Sequence, residues 1–242
     1  MAQSPGVRIT DRDLDIMEHV CRHRITTREA VQAMFLPEHE LNAATKVLSR
    51  LAKADLLTGG MLPDGQTKYW RLSKRYVRSN GLHPYNAKPL TFGPAVEHFG
   101  VLAFCCLQAT PRHLFTRDEF RDLFPDHYDE HLLRSHYYLD VDSHGTERLG
   151  LILVDAGGRD EARLVRRFRQ VYRRRLALPG FRQRLRDPNR LFIIAVVVPN
   201  SDKKAAVQRA IDRAESHDEQ WPVTFRVSVE PRLERMMVPY AA

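Results

Sequence analysis

Apolar residues recur at helical spacing through the first quarter of the chain, and the polar residues that punctuate them mark three consecutive helices. Thr10, ahead of Asp11 and Asp13, predicts an N-terminus for a helix carrying Leu14, Ile16, Met17, Val20 and Cys21 and ending near Arg22 to Arg24. Thr26, with Glu29 three positions on, predicts a capping box that opens a short helix through Ala30, Val31, Ala33, Met34 and Phe35, closed by Pro37. The third helix, about 38–54, sets Leu41, Ala44, Val47, Leu48 and Leu51 on one stripe. Asn42, Thr45, Lys46, Ser49, Arg50 and Lys53 fall on the other.

The period then shortens from a helix to a hairpin. Residues 55–60, DLLTGG, lead into a strand, Pro63-Asp64-Gly65 supplies a turn, and Thr67 to Leu72 alternates as the returning strand. Three helices and a hairpin predict a winged helix-turn-helix over 1–75, a fold that lays its third helix in the major groove and its hairpin against the backbone or minor groove. Asn42, Thr45 and Ser49 are then candidates for hydrogen bonds to base edges or phosphates, and Lys46, Arg50 and Lys53 for pairing with phosphate or guanine. Lys68, Arg71, Lys74 and Arg75 line the expected wing. The alternative for such a module is docking to a protein.

Residues 76–93 hold Gly81, Pro84 and Pro89 without periodicity and read as a linker. An α/β domain is expected over 94–242, beginning with an apolar helix from Pro94 to about Ala109 and a capping box at Thr116 and Glu119. Strands are expected at His136–Val141, Leu149–Val154, Leu191–Val198 and Val223–Val229, with helices at about Asp160–Leu176 and after Ser201. That order gives an α+β or α/β fold around a small mixed sheet. The near-continuous apolar run from Leu191 to Val198 is expected to be buried on both faces.

Composition narrows the class. With 242 residues, 43% of them hydrophobic, the chain can bury a real core, and no apolar run approaches the roughly 18 to 20 residues that span a bilayer. The N-terminus has no apolar segment after its first charge, so a cytoplasmic location and no membrane partner are expected. Three cysteines, two of them adjacent at Cys105 and Cys106, form no framework spacing and read as buried thiols, with no metal site expected. The formal charge is +8, but the segment 159–190 alone carries 12 Arg against three acids, a local +9. The remainder is therefore near neutral, and the excess is concentrated in this one C-terminal segment, on whose helix Arg163, Arg166, Arg167, Arg173 and Arg174 share the face opposite Leu164, Val165, Phe168, Val171, Tyr172 and Leu176. Those five are expected to contact phosphate, an acidic partner or a second subunit of a homodimer.

Several short motifs together resemble the bacterial replication-relaxation family. They are Thr10-Asp11-Arg12-Asp13, the short helix behind Ile25-Thr26-Thr27, the run from Val47 to Leu57, and Tyr69-Trp70-Arg71-Leu72. Glu97-His98 resembles the family's His-bearing helix, and Leu151 to Asp155 with Val165 to Tyr172 resembles its terminal strand, long helix and Tyr. The resemblance implies a winged-helix protein of plasmids, phages or conjugative elements, with a C-terminal domain related in shape to restriction-type nucleases. It implies double-stranded DNA as partner, together with replication or mobilisation proteins, in an accessory or transcription-regulating role.

A working nuclease of that type needs an acid on one strand, an acid and a lysine on the next, and a divalent cation between them. Asp140, Asp142 and Asp155 are the candidate acids, with Mg2+ the one cofactor this alternative would require. Leu153 stands where a second carboxylate belongs, and no Lys occurs between Lys88 and Lys203, so the site reads as degenerate. The sequence His127-Tyr128-Asp129-Glu130-His131 matches a zinc-protease pattern in type, but its polar surroundings predict surface histidines. No P-loop, GxGxxG or GxSxG is present, so no nucleotide cofactor or serine-hydrolase chemistry is expected.

Overall fold

A computed structural model describes residues 8–132, 136–141, 145–155, 160–187, 191–217 and 222–237. The chain divides into two units, Met1–Pro111 and Arg112–Ala242, with a two-stranded antiparallel sheet in the first and a five-stranded mixed sheet in the second. Among the described residues no helix is long and apolar enough to cross a membrane.

In the first unit, helix α1 spans Asp11–His23 and opens on the expected cap: the Thr10 hydroxyl accepts from the Asp13 N–H, and the Asp13 carboxylate accepts from the Thr10 N–H. Helix α2, Arg28–Phe35, starts one residue later than its capping pattern predicts. The backbone of Thr26 is already paired with Trp70, N–H to O at 2.8 Å and O to N–H at 2.9 Å, so Thr27 takes over the cap and accepts from the Ala30 N–H. Helix α3, Leu41–Lys53, buries Ala44, Leu48 and Leu51. Strands β1, Leu57–Met61, and β2, Lys68–Leu72, pair antiparallel with Leu57 opposite Leu72. Their turn is held by the Asp64 carboxylate, which accepts from the N–H groups of Gln66 and Thr67, while Gly65 supplies the left-handed residue at φ 66°.

The stretch expected as a linker is folded. Ser73 caps helix α4, Lys74–Ser79, and a single 3-10 turn follows at Pro84–Ala87. Val77 and Ala87 enter the same core as Ile16, Leu48 and Trp70, which is what a linker does not do. Helix α5, Phe92–Cys106, was expected to open the second domain but belongs to the first unit, where it packs against α1 and α2. It is apolar around most of its circumference, and Phe99, Leu102 and Phe104 are almost wholly buried. Burial of such side chains contributes about 1.5–3 kcal/mol each. An all-round apolar pattern predicts burial without saying against which neighbour.

The second unit contains β3 (His113–Leu114), α6 (Arg117–Leu123), β4 (His136–Val141) and β5 (Glu147–Val154). It continues with α7 (Glu161–Leu176), α8 (Pro179–Arg186), β6 (Phe192–Val198), α9 (Ser201–His217), β7 (Thr224–Val229) and α10 (Arg232–Met237). The strand order is β3-β4-β5-β6-β7, antiparallel as far as β5 and parallel from β5 to β7. All seven residues of β6 are buried, as a central strand covered on both faces requires. The short elements β3, α8 and α10 are not marked by any periodicity, being two to eight residues long.

A candidate nucleic-acid interface and a second polar cluster

Along α3, Asn42, Lys46 and Lys53 are exposed, whereas Thr45, Ser49 and Arg50 are half-buried. The Thr45 hydroxyl donates to the Leu41 carbonyl at 3.2 Å, within its own helix. Arg50, expected at DNA, is engaged inside the fold: Nη2 lies 2.5 Å from Asp13 Oδ1 and Nη1 donates to the Arg8 carbonyl at 3.2 Å. Asp13 has no exposure at all. Burial alone would raise its pKa, but the Thr10 N–H, the Arg50 guanidinium and the Thr10 hydroxyl outweigh that and hold it below the usual carboxylate value. Arg50 is therefore a clamp between α1 and α3, because a buried carboxylate needs a paired cation.

Lys68 is exposed on β2 with its ammonium 5.2 Å from the centre of the Trp70 ring. Arg71 is half-buried and donates to the Ala87 carbonyl, so part of its hydrogen-bonding capacity is spent within the fold. Its neighbours make a basic surface nevertheless. Arg71, Lys74, Arg75 and Arg78 line one cleft together with Asp55, Thr58 and Ser79, four cations to one carboxylate. Arg78 was missed because it lies in the stretch read as linker. Its signal was the spacing of Lys74 and Arg78, four apart behind the capping Ser73, in a helix too short to show a hydrophobic period.

In the second unit α7 buries Leu164, Val165 and Phe168 and exposes Arg163, Arg166, Arg173 and Arg174, with Arg167 half-buried. The run is not uniformly solvated. Arg175 is 2% exposed, donates to Tyr137 Oη at 2.7 Å and to the Val171 carbonyl at 3.1 Å, and lies over the rings of Tyr137 and Phe181. Burial depresses its pKa, and the contact with Tyr137 opposes that.

The candidate nuclease acids do not converge. Asp140 is bound in bidentate fashion by Arg226 at 2.6 and 2.9 Å and by Arg112 at 3.3 Å. Burial raises its pKa, and the two guanidinium groups, Arg226 foremost, more than reverse that. Asp140 pairs with Arg148, seven positions before Asp155, which puts the two acids at opposite ends of β5, about 23 Å apart at roughly 3.3 Å per residue. One metal ion cannot bridge them. Asp142 lies outside the described residues.

A different grouping forms where β5 ends. Lys203, in the first turn of α9, places its ammonium 3.6 Å from buried Asp155 and 3.0 Å from Glu161 at the start of α7. Glu161 is held below the ordinary carboxylate value, chiefly by its hydrogen bond from Lys203. The lysine absent from the local sequence is thus supplied from 48 positions downstream of Asp155 by the parallel pairing of β5 with β6. The zinc-protease pattern has no such support. His127 and Glu130 begin or end separate 3-10 turns and not one helix, and His127 Nε2 accepts from Arg184 at 3.1 Å. Burial, with the Arg184 charge second, pushes the pKa of His127 down to about 4.

No family model, curated protein or solved structure matches this chain.

Proposed function

We propose that the chain is a sequence-specific double-stranded DNA-binding protein whose first unit is a winged helix-turn-helix. The observation that carries the reading is the cleft of Arg71, Lys74, Arg75 and Arg78 at the base of the hairpin, in the same unit as the exposed Asn42, Lys46 and Lys53 of α3. A helix with short polar side chains reads base edges, while clustered cations beside it hold phosphate without regard to sequence. Arg50 leaves the expected contact set and Arg78 joins it. The exposed arginines of α7 add a phosphate contact or meet an acidic partner or second copy. The resemblance to replication-relaxation proteins directs this activity to replication or mobilisation of a mobile element, or to control of its transcription.

Selection from random duplexes followed by titration tests the reading. An enriched sequence is expected to bind at least about 1,000-fold tighter than random duplex. Lys46→Ala should lower that preference by about 10-fold or more while leaving random-duplex binding nearly unchanged. Equal loss on both duplexes would remove α3 from base recognition.

A second reading, Mg2+-dependent cleavage of DNA, rests on Lys203 beside Asp155 and Glu161 and not on Asp140. There the carboxylates would hold the cation and Lys203 would stabilise charge on the attacked phosphate. Running the titrated DNA on a denaturing gel with Mg2+ separates the two: intact strands sustain binding alone, and strands cut by the native protein but not by Lys203→Ala would make it a nuclease.

A further inference from the structure

The first unit encloses a polar group that the DNA-binding reading does not use. His19 and His23 stand one turn apart on the inner side of α1, and Cys106 closes α5 against them. They are 7%, 4% and 3% exposed, and their ligand-capable atoms all lie within 4.8 Å of one another. Cys106 Sγ is 3.7 Å from His23 Nε2. Two donors on one tetrahedral zinc ion, at about 2.3 Å for sulfur and about 2.0–2.1 Å for nitrogen, stand about 3.6 Å apart, so this pair is already at ligand spacing. The His19 and His23 ring centres are 4.6 Å apart, which leaves a small closing rotation for the third donor.

Thr26 Oγ1 is hydrogen-bonded to His19 Nε2 at 3.0 Å and so orients the imidazole, as a buried partner commonly does for a metal-bound histidine. A bound cation would supply the charge that stabilises the Cys106 thiolate.

We propose that His19, His23 and Cys106 form a transition-metal site of the imidazole–thiolate class, with Zn2+ as its natural occupant. Zinc accepts mixed nitrogen and sulfur donors without a geometric preference of its own, and a non-protein ligand would complete the tetrahedron. The ion would tie α1, which bears the Asp13 clamp on α3, to α5. Binding proceeds with release of the thiol proton to solvent and no change in oxidation state.

The test is titration of the purified full chain with Co2+ under reducing conditions, followed by absorbance, with displacement by Zn2+. A stoichiometric thiolate-to-cobalt charge-transfer band that Zn2+ abolishes is expected, together with a higher Tm on adding Zn2+. Cys106→Ser should remove the band and weaken Co2+ binding by about 100-fold, with far-UV circular dichroism checking that it folds. Because the native protein is read directly, a chain that is folded yet gives no charge-transfer band overturns the proposal. So does a band that survives in folded Cys106→Ser.

Discussion

Arg50 carries a recognisable DNA-contact signature, a cation on the polar face of a third helix, yet its guanidinium serves Asp13 beneath α1. Helical spacing reports the direction in which a side chain leaves its backbone; it does not report that a carboxylate 37 positions earlier lies within its reach. The charge therefore serves stability. Arg50→Ala is expected to cost about 2–3 kcal/mol in chemical denaturation at neutral pH by stranding a buried carboxylate, with the Thr10 cap sparing part of the loss. Because the folded pKa of Asp13 is depressed, its contribution is present above its ordinary value of 3.8 and is lost as pH falls through the folded pKa. The native protein should therefore lose more stability on acidification below about pH 4 than Arg50→Ala does. An equal loss in both would detach Asp13 from Arg50. Lys203 teaches the same lesson in reverse: a residue absent from the local motif reaches Asp155 through strand pairing.

At the scale of elements, the long and strongly patterned pieces were legible: α1 with its Thr10 cap, α3, the hairpin, α6 with its Thr116 cap, and the fully buried β6. The illegible pieces were short or uniformly apolar. Helix α4 has six residues, too few for a period to repeat, and α5 is apolar on most sides, so neither announces its packing partner. Both lie in or beside 76–93, where Gly81, Pro84 and Pro89 without periodicity resemble a linker, and Arg78 lies in that same stretch. Strand register supplies a sharper test. Gly60 faces Tyr69 across the hairpin, and Gly150 faces Tyr138 between β4 and β5. A Cβ on Gly150 would meet the Tyr138 ring at 2.1 Å, where the side chain is wholly buried. Gly150→Ala is therefore expected to destabilise the protein by about 1–3 kcal/mol in urea unfolding. An unchanged midpoint would mean that Tyr138 does not cross that glycine.

For the whole molecule, the positive charge that suggested a polyanion partner from composition is divided among three tasks. Arg175 and Arg226 are bound to groups within the second unit, Arg50 and part of Arg71 to groups within the first, and Lys46, Lys53, Lys74, Arg75, Arg78, Arg163, Arg166 and Arg174 are the exposed cations that the proposed partner would meet. Net charge thus overstates the exposed cationic surface. Three of the cleft's four cations, Arg71, Lys74 and Arg75, are legible in the sequence as residues of the wing, and only Arg78, in the stretch that looks like linker, is not. The central claim is that this cleft holds DNA phosphates beside a base-reading helix. Its most direct test is equilibrium binding to duplex DNA across a salt series, comparing the native chain with the combined variant Lys74→Ala, Arg75→Ala, Arg78→Ala. Counterion release predicts salt-steep binding by the native protein, and a plot of log affinity against log salt flatter by about 2.7 in the variant if all three cations meet phosphates. Identical slopes, or a native protein that fails to bind duplex at low salt, would contradict the account.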